Sequence, residues 1–412
     1  MTLVTIRNLL TICGALLQFC SVQFLNSFEL LIVGRFIVGI SVGATLSLPI
    51  YISECKRPGQ TANVGTFLIG ATLTQNGIGQ ALCLPELLGT HRLWHGVLLV
   101  PLLQSLVHFS LAFFIKESPK HLYVTLRDEK RAKEAFDYHL TQADWAAVKA
   151  QYDQERQLQS DKHASLREVL ATKHYRWPII VCIVCVTANK MSGADIAWFY
   201  STEMIESLGL GAENAMWFSV AALQGVTMVM VVVHVVFQPV RRTPRKQLFL
   251  FGVGCGVVAT FFMLLGGQLA NEDMSIVFGA IGLVLSVFAN VVGPFFILPI
   301  LPLEIAPQTV RAKASGLSFA WSALTILGIT LLYPTAYFWL GSLAVLPLML
   351  AGIGCFLFLY YKMPESKGKT VVEVTSIWRD SSGQREPHDT SGIGENGEQG
   401  NEIEARKEKE KA

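Results

Sequence analysis

The chain has 412 residues, 51% hydrophobic and 16% charged, with a net charge of +2. A soluble domain is about 25% charged, and 41 of the 64 charged residues here lie in Lys116–Trp177 or after Met363. The rest of the chain is therefore nearly free of charge, which argues against a soluble multi-domain protein. The near-neutral total says little about partners, and nothing in it points to nucleic acid.

The apolar sequence falls into runs of membrane-spanning length, about 20 residues each. The first is Leu3–Phe24, with Arg7 near its start. It has no basic leading region and no small-residue cleavage site, so it does not read as a signal peptide. The second, Phe28–Ile52, carries Gly39-x-x-x-Gly43-x-x-x-Ser47, a helix face that another helix can approach closely. The third, Val64–Leu84, holds Gln75, Asn76 and Gln80, and amides at membrane depth face protein or water rather than lipid. The fourth is Leu93–Ile115.

Lys116–Trp177 follows, with 12 Lys/Arg and 10 Asp/Glu in 62 residues. Its stretches Arg127–Leu140 and Trp145–Leu158 mix charge with spaced apolar residues and read as helices. Six more runs come after it: Pro178–Tyr200, Met216–Phe237, Leu248–Leu265, Ile276–Leu301, Leu317–Leu332 and Leu340–Tyr361. The expected organisation is an N-terminal bundle of four spans (1–115), a helical linker (116–177), a C-terminal bundle of six spans (178–362) and a tail (363–412). Residues 381–412 lack large apolar side chains almost entirely and are expected to be disordered.

Loop charge predicts the orientation. Lys56, Arg57, the linker, Arg241, Arg242, Arg245, Lys246, Arg311 and Lys313 fall on one side and only Arg92 on the other, so the linker and both ends are expected in the cytoplasm. Eight cysteines are scattered through the chain. Cys182-x-x-Cys185 sits in a membrane run with no βαβ context and reads as packing. No hydrolytic, nucleotide-binding or metal motif competes, no cofactor is implied, and an enzyme is not expected.

Several strings, in order, resemble the sugar porters of the major facilitator superfamily. GRFIVGISVGATLSLPIYISE (Gly34–Glu54) resembles the signature G-R-x-x-x-G…P-x-Y-x-x-E, and KESPKHL resembles PESPR at the end of that family's sixth helix. SGADIAWFYST is similar to its SGINxxxYYST, and MPESKGKT to its closing PETKGRT. LPELLGTHRLW is closest to the animal facilitative glucose transporters. The resemblance implies an all-α membrane fold and carriage of a hexose-like solute across a lipid bilayer, at the plasma membrane, by alternating access. The family has twelve helices, so the first run here corresponds to its third and the chain is an incomplete 4+6 version of a 6+6 bundle. On that reading the chain alone is not expected to carry sugar at a family-like rate.

The resemblance also assigns roles. Arg35, Glu54, Glu304 and Arg311 match the charged helix-end positions that latch one state, the alternative being ordinary snorkelling charges. The family's sugar contacts on helix seven fall at Asn189, Lys190 and Asp195, a departure from its amides. Its helix-five Gln falls at Ile69 and its helix-ten Trp at Pro299. Gln75, Asn76, Gln80, Asn189, Lys190, Asp195, Asn290 and Trp321 remain as candidate solute contacts. Two other readings stay open: a non-transporting sensor or regulatory relative, and a carrier of a charged solute. Lys190 and Asp195 are expected to pair with each other or to face a wet cavity, because Ser192-Gly193 between them can unwind the helix.

Overall fold

The structure is a computed structural model that describes residues 2–25, 27–43, 51–52, 54–55, 61–139, 145–158, 172–306, 308–367 and 373–374. Ser47 of the small-residue stripe and the tail from Ser381 lie outside these. The described secondary structure is helical throughout. In chain order the first helices are α1 (Thr2–Cys20), α2 (Phe28–Gly43), α3 (Thr61–Leu82) and α4 (Leu99–Ala112). The polar linker supplies α5 (Glu129–His139) and α6 (Trp145–Leu158). Then follow α7 (Lys173–Lys190), α8 (Ala194–Ser207), α9 (Ala212–Phe218), α10 (Gln224–Phe237), α11 (Pro239–Arg242) and α12 (Arg245–Gly266). The last are α13 (Glu272–Val292), α14 (Pro294–Ile297), α15 (Leu301–Ile305), α16 (Gln308–Leu340) and α17 (Leu346–Lys362).

Seven apolar runs among the described residues are long enough to cross a membrane. The last of them, Val310–Lys362, holds both α16 and α17. α16 has 33 residues, about 50 Å at 1.5 Å per residue, and continues through Pro334. The chain turns at Gly341, whose φ of +57° suits a residue without a Cβ. Ser366, just past α17, donates to Glu304 Oε2 at 2.8 Å, just before α16. The end of α17 and the start of α16 therefore share one end of the bundle, and the two helices run antiparallel. Of the expected runs not among the seven, the second has 16 described helical residues in α2, and the third is the amide-bearing α3.

Three helices, α1, α2 and α4, pack together. α1 meets α2 at a glycine pair: a Cβ on Gly14 would lie 2.9 Å from the Gly34 carbonyl, and one on Gly34 2.9 Å from the Gly14 carbonyl. Thr11 Oγ1 donates to Ser41 Oγ at 2.9 Å across the same contact. α3 instead packs against α10 of the other half. The main core lies in α7–α17, where Phe249, Met263, Leu283, Val287, Phe296 and Ile305 are fully buried. Its tightest contact is α12 on α13, through Gly266, Gly279 and Gly282. Without Cβ atoms the backbones touch, and dispersion replaces the hydrophobic drive that lipid does not supply.

The linker helices close over their own aromatic cluster of Tyr123, Phe136, Trp145 and Tyr152, with the Phe136 and Trp145 rings 5.1 Å apart. Tyr123 donates to Asp153 Oδ1 at 2.6 Å, and Lys149 pairs with Glu129. α5 docks on the N-terminal helices by its last residues. Tyr138 donates to the Phe114 carbonyl at 3.1 Å, and His139 Nε2 lies 3.3 Å from both Tyr51 Oη and the Lys116 carbonyl.

Candidate functional site

A cleft of about 1160 Å³ lies between α1–α4 on one side and α8 and α10 on the other. Its floor is α3, which lines it from Phe67 to Leu82, a length of about 23 Å at 1.5 Å per residue. The α3 sequence suits that place: Gly70, Ala71 and Gly79 keep its surface low, and Gln75, Asn76 and Gln80 project amides into the cleft. Gln75 Nε2 donates to Gln104 Oε1 on α4 at 2.8 Å. Gln224 Nε2 on α10 donates to Gln80 Oε1 at 2.6 Å, a hydrogen bond between the two halves. Gln224 is 7% exposed, and its Oε1 has no partner among the described residues. Trp198 of α8 supplies an aromatic wall, held edge-on against Phe295 at 6.0 Å.

Three of the eight candidate contacts, Gln75, Asn76 and Gln80, thus share one cleft. Arg35 joins them on its α2 wall, with Gln18 of α1 close by. The other five lie outside its lining. Asn189, Lys190, Asp195 and Asn290 are buried in the C-terminal half, and Asn189 Nδ2, Asp195 Oδ2 and Asn290 Oδ1 have no hydrogen-bond partner among the described residues. Lys190 Nζ meets Asp195 Oδ1 at 3.2 Å, the expected pairing. Trp321 is 41% exposed and donates from Nε1 to Thr187 Oγ1 at 2.8 Å, tying α16 to α7. Gln18, Gln104, Gln224 and Trp198 were not among the sequence candidates. Gln104 and Gln224 are each the one amide of an otherwise apolar run, but nothing local says which face of their helices meets the cleft.

The helix-end charges gather at one end of the C-terminal half. Glu304 on α15 forms an ion pair with Arg245 at the start of α12 and accepts from Ser366 Oγ. Glu365 accepts the backbone N–H groups of Arg245 at 3.0 Å and Lys246 at 3.1 Å, so a carboxylate caps α12. Arg311 lies on the opening turn of α16, near Glu304 in sequence. Glu54 is described within the short stretch 54–55 beside Tyr51, whose hydroxyl donates to the Lys116 carbonyl at 2.7 Å. Among the described residues, no three His, Cys, Asp or Glu side chains come together in a way that could hold a metal.

Residues 2–378 match the protein family described as "Sugar (and other) transporter". The chain belongs to the sugar transporter family. It is a membrane carrier, not an enzyme. It is 29% identical over 385 residues to the facilitated glucose transporter member 3 of Ovis aries, covering 90% of this chain and 74% of that protein. It is also 29% identical over 381 residues to member 9 of Pongo abelii, covering 90% of this chain and 65% of that one. Its fold is that of the proton:xylose symporter XylE of the major facilitator superfamily. The structure with 6-bromo-6-deoxy-D-glucose aligns at a TM-score of 0.72 and 16% identity, over 92% of this chain and 83% of that one. The inward-open XylE of E. coli aligns at 0.68 and 16%, over 91% and 82%.

Proposed function

We propose that this carrier moves a neutral, hydroxyl-rich solute, a sugar, by alternating access of its two helical halves, and that the cleft over α3 is where the solute meets both of them. The observation that carries the reading is the composition of that cleft. Five amides from α3, α4 and α10 stand beside one tryptophan face, and two of the amides already bridge the halves. A sugar entering a bilayer-depth site must exchange its hydration for neutral donors and acceptors, and its ring C–H face suits an aromatic wall. No covalent step is needed, because the halves rock around a bound solute.

The same reading gives the helix-end charges Arg35, Glu54, Glu304 and Arg311 a part in biasing the two states, with Arg245 added as the partner of Glu304. Loop charge supports a cytoplasmic linker and cytoplasmic ends, and the glucose-transporter relatives support a plasma-membrane location. Asn189, Asn290 and Trp321 remain candidate contacts for a state in which the C-terminal half opens, whereas Lys190 and Asp195 are engaged with each other. A direct test is binding of D-glucose and L-glucose to the full chain in lipid nanodiscs, read by Trp fluorescence. Replacing Gln75 or Asn76 with Leu removes one neutral hydrogen bond and should weaken D-glucose binding by about two- to tenfold. Binding that ignores handedness, or is unchanged in both variants, overturns the assignment of the cleft.

A further inference from the structure

The strongest polar feature outside the cleft is the joint between α7 and α8. α7 ends on Lys190, and α8 carries Asp195 in its first turn. Between them Gly193 has a φ of +80°, and a Cβ there would meet Thr260 Cγ2 at 3.2 Å and Met263 Sδ at 3.3 Å on α12. Ser192 Oγ donates to the Asn189 carbonyl at 2.6 Å inside the joint. Residues five apart do not share a face of a continuous helix. It is the glycine turn that brings Lys190 Nζ within 3.2 Å of Asp195 Oδ1, with the residues 7% and 3% exposed. Each charge also faces the favourable end of its own half-helix, the cation at a C-terminus and the anion at an N-terminus. The ion pair therefore depends on the closed geometry of the joint.

We propose that Lys190 and Asp195 are positioning residues that lock this joint, and that release of the lock sets how readily the carrier changes state. Two observations distinguish a lock from a static brace. First, Asn189 Nδ2 and Asp195 Oδ2 are buried beside the pair without a partner among the described residues. Each unmet atom disfavours the closed joint and would gain a partner on opening, so the pair holds the joint against an opposing tendency. Second, α8 carries Trp198 and Phe199, three and four residues beyond Asp195 and hence on its face of the helix, as the wall of the cleft. Motion at the joint thus moves that wall. The part concerning change of state rests on the carrier reading; the lock itself does not.

The test is amide hydrogen exchange across residues 187–199 in the full chain in nanodiscs, without solute, so that its outcome does not depend on the cargo being a sugar. Lys190→Met with Asp195→Leu leaves no buried charge, and apolar replacements of a buried pair commonly fold as well as the original. Its exchange across the joint should rise at least about tenfold at unchanged melting temperature. Lys190→Asp with Asp195→Lys restores a pair of reversed polarity against both half-helix dipoles. It should recover most of the folding and protection lost in either single change. In vesicles, the apolar double variant should change the maximal rate of labelled D-glucose transport while leaving half-saturation unaltered. Wild-type exchange in the apolar variant overturns the lock. So does a reversed pair no better folded or protected than the single changes, or an effect confined to half-saturation, which would mark direct solute contact.

Discussion

Gly282 offers a direct test of how closely α12 and α13 pack. A Cβ there would lie 2.7 Å from the Met263 nitrogen and 3.0 Å from the Ala259 carbonyl oxygen. Both are backbone atoms, so no side chain can swing away. Reaching an ordinary 3.4 Å contact requires the helices to part by about 0.7 Å (3.4 less 2.7). The same motion loosens the neighbouring contact, where a Cβ on Gly266 would be 2.7 Å from the Gly279 nitrogen. Overpacking of this kind costs about 1–3 kcal/mol. Alanine in a helix regains about 1 kcal/mol over glycine, so Gly282→Ala should be destabilised by up to about 2 kcal/mol. Gly328→Ala on α16 is the control, because nothing lies within 4 Å of its added Cβ. It keeps the propensity gain without the clash, so the two variants should differ by the overpacking cost alone. Thermal unfolding of the purified variants in one detergent, followed by fluorescence, should place Gly282→Ala below wild type and Gly328→Ala at or above it. Gly282→Ala melting with or above Gly328→Ala would refute the close approach.

Glu365→Ala removes the carboxylate that caps the first two N–H groups of α12, and it should lower stability by about 1 kcal/mol, measured in the same unfolding assay. Burial holds the His139 imidazole below the ordinary histidine value, opposed by its hydrogen bond to the Lys116 carbonyl. The undocked linker then takes up the proton first, so docking of α5 is complete above about pH 6.5 and weakens as the pH falls. Hydrogen exchange over residues 133–139 should therefore be faster at about pH 5.5 than at about pH 7.5 once intrinsic rates are corrected, and His139→Gln should abolish that difference. For orientation, a cysteine replacing Glu129 should react with an impermeant maleimide only from the cytoplasmic side and one replacing Ala270 only from the opposite side; the reverse would break the loop-charge argument.

Most of the helical plan was legible because bilayer length and hydrophobicity are properties of a run, not of its neighbours. The final run shows the limit. Leu317–Leu332 was expected as a span, yet α16 continues to Leu340 through Pro334, and Gly341 rather than the proline turns the chain. The Lys190–Asp195 pair was readable because two opposite charges in an apolar run, with Ser-Gly between them, have few affordable arrangements. Gln18, Gln104, Gln224 and Trp198 were not, because which face of a helix meets the cleft depends on partners distant in sequence. The pairing of Gln80 with Gln224 spans 144 positions. Glu304 was assigned a helix-end role by resemblance, and its ion pair with Arg245, 59 positions earlier at the start of α12, is one that no local spacing announces.

The central claim is stereoselective sugar transport, and the decisive measurement is counterflow uptake by the purified full chain in liposomes, comparing labelled D-glucose with labelled L-glucose. The criterion is handedness and saturation, and saturable, stereospecific uptake by this chain alone would set aside the expectation drawn from the 4+6 count of spans. The account predicts saturable uptake of the D-sugar that excess unlabelled D-glucose abolishes and that the L-sugar neither shows nor inhibits. Equal entry of the two enantiomers, or entry linear in concentration and indifferent to competitor, would contradict it.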